Sequence, residues 1–105
     1  MTEFPIVDLT APVSPREEML DETKNLITGD RNNQYGPPTQ DFRRTSEALS
    51  AMGYCRPGGK PLQPHDIAII VAMIKISRLM WSPEKRDHWV DLAGYAACGY
   101  ECTVE

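Results

Sequence analysis

Between Lys75 and Tyr95 the chain reads K-I-S-R-L-M-W-S-P-E-K-R-D-H-W-V-D-L-A-G-Y. Lys75 and Arg78 lie three residues apart at the end of an apolar run, and Asp87 and Asp91 lie four apart beyond a Ser-Pro break. Spacings of three and four put each pair on one face of a helix. Two helices joined by a short connection pack antiparallel, which brings the cationic end of one beside the acidic start of the next. Two chemistries fit. One is a buried ion-pair lock. The other is a site in which Lys75 and Arg78 hold phosphate oxygens while Asp87 and Asp91 hold a divalent ion such as Mg²⁺.

Like charges at i and i+4 disfavour a helix, and burying them without partners costs far more. Asp87 and Asp91 are therefore exposed, paired with Lys75 and Arg78, or bound to a cation. Asp87 also suits the start of a helix as a dipole residue, whereas Asp91 sits among Trp89, Val90 and Leu92. Upstream, Glu17, Glu18, Asp21 and Glu22 form an acidic run, of which Glu22 stands nearest an apolar stripe. Arg31 and Tyr35 occupy the polar stretch D-R-N-N-Q-Y-G-P-P-T, either as plain surface residues or as part of a ligand-covering loop. Asp41 falls in the first turn of a predicted helix, and Tyr95 shares a helix face with Asp91. His65 and His88 have no zinc-ligand spacing, and Cys98 and Cys102 have no third ligand nearby.

Four helical segments must position these groups. Ser14-Pro15 with Glu17 marks a helix start, Met19, Leu20, Thr23, Leu26 and Ile27 follow at helical spacing, and Gly29 ends it, predicting a helix over 15–28. Thr39 as cap predicts a second helix over 40–52, with Phe42, Thr45, Leu49 and Met52 buried and Gly53 as the stop. Residues 54–62, with P-G-G-K-P, read as the most flexible interior loop and lack the spacing of a phosphate loop. Pro64 opens a third helix to Trp81, apolar on nearly every face and so expected at the centre. A fourth, over 86–101, is rich in Gly and Ala, and its Asp87, Asp91, Gly94, Tyr95 and Cys98 face is expected to meet the third. The fold class that follows is all-α, a four-helix bundle-like domain over 14–105 with an extended or disordered arm over 1–13.

At 105 residues with 41% hydrophobic and 25% charged residues, the chain has the composition of one globular domain. Its net charge of −4 argues against coating nucleic acid, which needs a basic surface. Three cysteines without a C-x-x-C pair fit a reducing cytoplasm rather than a disulfide framework. The longest apolar run, Ile67 to Ile76, is about half a membrane helix, and M-T-E-F-P-I-V-D lacks the pattern of a signal peptide. A domain this small, with an apolar arm and a Gly/Ala-rich helix, is expected to form a homo-oligomer.

The series G-D-R-x-x-x-Y-G, D-F, D-x-A-x-x-x-x-x-x-K-I-x-R-L and D-x-W-V-D-x-A-G-Y resembles a phage and prophage family of small α-helical proteins of unknown role. That family is similar to the first nucleotide-modification-associated domain and, more distantly, to MazG-type all-α nucleoside triphosphate pyrophosphohydrolases. The resemblance covers residues 19–100 and implies one nucleotide site lined by Arg31, Tyr35, Asp41, Lys75, Arg78, Asp87, Asp91 and Tyr95. It also implies the cytoplasm of an infected or lysogenic bacterium. The pyrophosphohydrolases hold Mg²⁺ with E-E-x-x-E on one helix and E-x-x-D on another. Here the counterparts are the offset E-E-M-L-D-E and the shorter, wider D-H-W-V-D.

Two functions follow as expectations. As an enzyme, the protein would hydrolyse an α–β phosphoanhydride, with Asp87, Asp91 and Glu22 on Mg²⁺, Lys75, Arg78 and Arg31 on phosphates, and Tyr35 or Tyr95 on base or ribose. As a binding module, it would sequester a nucleotide or engage a host protein without catalysis.

Overall fold

The computed structural model describes residues 12–29 and 36–104. Most of the predicted arm lies outside them, as do Arg31 and Tyr35. The described residues form four helices: α1 Pro15–Thr28, α2 Pro38–Ala51, α3 Pro64–Trp81 and α4 Arg86–Val104. Among these residues the only extended pairing is an isolated bridge between Arg56 and Lys60, so the fold is all-α.

The helix boundaries follow local chemistry. Ser14 Oγ accepts the Glu17 N–H at 3.3 Å, and Pro15 supplies a preset φ for the first turn of α1. At α3, Gln63 and Asp66 close a capping box, with the Gln63 N–H donating to Asp66 Oδ2 at 2.8 Å. The start of α2 differs from the sequence expectation: Pro38 opens the helix, so Thr39 lies inside the first turn and caps nothing. Proline at that position needs no N–H partner, and the helix gains two residues. The last helix, α4, starts at Arg86 as expected and runs three residues beyond the expected end at 101, to Val104.

The arrangement is a hairpin of α3 and α4, with α2 against α3 and α1 against α4. Phe42, Ile67, Ala68 and Cys98 form the shared core, and Ile27, Leu49, Val71, Tyr95 and Cys102 pack around it. Two glycines of α4 permit the close approaches. A Cβ on Gly99 would stand 2.8 Å from the Ala68 Cβ, and one on Gly94 would stand 3.3 Å from Ile27.

Three further expectations are corrected. On α2, Phe42 and Ser46 are buried, whereas Thr45 and Met52 are exposed, because the helix turns its 42/46/49 edge to the core. Residues 54–62 form an organised turn: the Arg56 N–H donates to Lys60 O at 2.8 Å around Gly58 and Gly59, both with positive φ. Finally, α3 is central on one side only. Ile67, Ala68 and Leu79 are buried, but Ile69, Ile70, Met73, Ile74, Ile76, Met80 and Trp81 are exposed.

Candidate functional site

The charged pairs expected to meet between α3 and α4 meet in part. Lys75 Nζ donates to Asp91 Oδ2 at 2.8 Å, with side chains only 12% and 24% exposed. Both helices deliver these groups from their packed sides, so the ion pair is largely screened from water. Arg78 and Asp87 are exposed and form no ion pair among the described residues.

Asp91 also lines a narrow cleft of about 30 Å³ where α1, α2 and α4 converge. Leu26 and Ile27 of α1 and Phe42 and Gly94 form its apolar walls, while Asp41, Asp91 and Tyr95 supply its polar groups. Gly94 lets α1 come close enough to close the bottom of the cleft. Gly36 stands on the rim, and it directly follows Tyr35 in the chain. Arg31 and Tyr35 lie outside the described residues.

One cation at this site is not legible as functional from the sequence. Arg44 Nη2 lies 3.7 Å from Asp41 Oδ1, and a Cβ on Gly36 would be 4.0 Å from the same guanidinium nitrogen. Its i, i+3 spacing from Asp41 was the available signal. Each acid of the cleft is therefore matched by a base: Asp41 by Arg44 and Asp91 by Lys75. The cleft itself offers carboxylate acceptors, and the two cations stand behind them outside its lining, an arrangement that suits a ligand with hydroxyl or amino donors and anionic oxygens at its outer end.

The acids expected to hold a metal stand apart. Glu22 does not point inward but accepts from Arg86 Nε at 2.7 Å, with Glu18 3.6 Å from the same guanidinium, all at the surface. Its partner lies 64 residues away, beyond the reach of local periodicity. Among the described residues, no group of three or more His, Cys, Asp or Glu side chains is placed to hold a metal ion. The donor set for Mg²⁺ at Asp87, Asp91 and Glu22 does not fit: Asp91 is engaged by Lys75, Glu22 by Arg86, and Asp87 faces solvent. None of the three cysteines forms a disulfide, and Cys98 is part of the core. No helix among the described residues is long and apolar enough to cross a membrane.

A family model described as a domain of unknown function, DUF6378, matches residues 18–103. The chain is similar to the Gene 55 protein of Mycobacterium phage D29, 37% identical over 82 residues, which are 78% of this chain and 51% of that protein. It is also similar to the Gene 55 protein of Mycobacterium phage L5, 30% identical over 78 residues, 74% of this chain and 47% of that protein. The chain spans about half the length of these curated relatives. No solved structure matches it.

Proposed function

The chain belongs to the DUF6378 family, and we propose that within it the chain acts as a nucleotide-binding module rather than a hydrolase. The observation that carries this reading is the cleft in which Asp41, Asp91 and Tyr95 share one wall, each acid backed by a cation. The nucleoside end rests at the mouth of the cleft, its hydroxyl or amino groups donating to the two carboxylates and its ring lying along Tyr95. The phosphate end extends toward Arg44 and Lys75. Phosphate oxygens match guanidinium and ammonium donors in charge and in hydrogen bonding.

The likeness to MazG-type pyrophosphohydrolases supports the ligand class and not the reaction. Metal-assisted cleavage of a phosphoanhydride needs acids gathered round one ion, and the described acids are dispersed onto separate cationic partners. Binding alone accounts for every group at the cleft.

Thermal unfolding with a panel of ribo- and deoxyribonucleotides, with and without Mg²⁺, read together with pyrophosphate release, tests the proposal. Ligand at 100 times its dissociation constant adds about 2.7 kcal/mol of stability, a midpoint shift on the order of 10 °C for a domain this size. The expected result is such a shift with at least one nucleotide and no pyrophosphate. Release of pyrophosphate would restore the hydrolase reading, and no shift with any nucleotide would remove the ligand class.

A further inference from the structure

We propose that the outer face of α3 is the contact surface of a homodimer, with α3 crossing its copy antiparallel about a two-fold axis between Met73 and Ile76. From Ile67 to Trp81 the helix carries only two charges, Lys75 and Arg78, and neither stands on the outward arc holding Ile69, Met73, Ile76 and Met80. A helix that is apolar all round belongs in an interior. Here its inner half is packed against α2 and α4, while the outer half faces water, from Ile70 at 39% exposure to Met80 at 83% and Trp81 at 91%.

The extent of this face identifies its occupant. Together with Tyr100 of α4, its side chains expose an apolar area on the order of 1,000 Å², beyond the roughly 300–600 Å² of the largest patch on a typical monomer. A standard interface buries about 800 Å² per partner, so this patch is enough for one stable dimer contact. The face is also complementary to itself. Ile69, Met73, Ile76 and Met80 are spaced four, three and four, the stripe of a helix–helix seam. That spacing reads the same in both directions, so reversal pairs Ile69 with Met80 and Met73 with Ile76. This reciprocal pattern is what a two-fold contact requires. Alongside the ridge runs an open groove of about 520 Å³ between α3 and α4, floored by Ala68, Ala72, Ala96 and Gly99. Small residues there leave room for the partner's larger side chains.

Sedimentation of the full chain in the micromolar range tests this. The expected mass is twice 11.8 kDa, and in a Trp89→Phe chain, where Trp81 is the sole tryptophan, the emission should shift to the blue as the dimer forms. Met73→Glu and Ile76→Lys each place a charge on an exposed position, so the helical circular dichroism should persist. Each should raise the dimer dissociation constant about 100-fold or more. Mixing Met73→Glu chains with Ile76→Lys chains should restore dimers, because the antiparallel axis sets the two new charges opposite each other. A wild-type monomer overturns the proposal, and so does a dimer indifferent to both substitutions. A dimer that both substitutions break but mixing fails to restore overturns the antiparallel axis. A Trp89→Phe monomer whose emission moves to the red on removal of residues 1–11 would assign the face to the chain's own arm. That result, too, overturns the dimer.

Discussion

On the side of α3 that meets α4, the described core holds few large apolar groups and an ammonium–carboxylate pair at 2.8 Å. On the opposite side, Ile69, Met73, Ile76 and Met80 face solvent without a charge among them. A self-sufficient bundle would have these the other way round. The contrast teaches that polarity alone does not say which side of a helix is the interior of the chain. The inner side of α3 is placed by shape, through Gly99 against Ala68, and by the Lys75–Asp91 link. Its outer side is the apolar face on which we propose that a second copy packs.

The sharpest way to break that comparison is Lys75→Ala. It leaves Asp91 unpaired in a largely desolvated place. Removing one partner of a buried pair costs 3–5 kcal/mol, and the partial exposure of Asp91 puts the expected loss near the lower end, about 3 kcal/mol in urea unfolding. Replacing both partners, Lys75→Met with Asp91→Leu, should recover most of it, because no charge is then stranded. A loss under about 1 kcal/mol for Lys75→Ala would class the inner pair as surface-like.

Next in size is Gly99→Ala. Its methyl group would meet the Ala68 Cβ at 2.8 Å, and overpacking of this kind costs about 1–3 kcal/mol. Thermal unfolding followed by circular dichroism measures it, and a neutral result would mean that α3 and α4 separate easily. Arg86→Ala removes the exposed cluster with Glu18 and Glu22, and the expected loss is below about 1 kcal/mol and shrinks further in salt. Comparing its salt dependence with that of Lys75→Ala isolates what burial does to an ion pair on the same helix. Smallest is Met73→Ala, on the outer face. At protein concentrations low enough to hold the chain monomeric, its stability should change by no more than about 0.5 kcal/mol.

Much of the fold was legible because its signals are local. Ser14, Pro15 and Glu17 for α1, and Pro64 for α3, placed both helices at their observed bounds. The α2 start was missed because Thr39 and Pro38 are competing markers, and the fixed φ of proline takes precedence over an optional side-chain cap. The site was legible only where its geometry is short-range. Lys75 and Asp91 face each other because two adjacent helices form a hairpin. By contrast, Glu22 is drawn away by Arg86, and Asp41 reaches the cleft only through the convergence of α1, α2 and α4. Neither event leaves a mark on local periodicity. For the same reason α3 read as central: an apolar face has one composition whether its own chain or another covers it.

The docking of α1 has a consequence for motion. Thr23 is its one buried residue, held through a 3.5 Å hydrogen bond to Val90 O and by the neighbouring fit of Ile27 on Gly94. The hairpin of α3 and α4, by comparison, joins segments close in sequence and shares the core. An element attached so lightly opens at lower free energy than the body it rests on. Amide protons of α1 should therefore exchange sooner than those buried between α3 and α4. Since Leu26 and Ile27 form one wall of the cleft, each excursion of α1 also unseals it. The cleft thus has a hinged wall, and whatever occupies it slows that exchange.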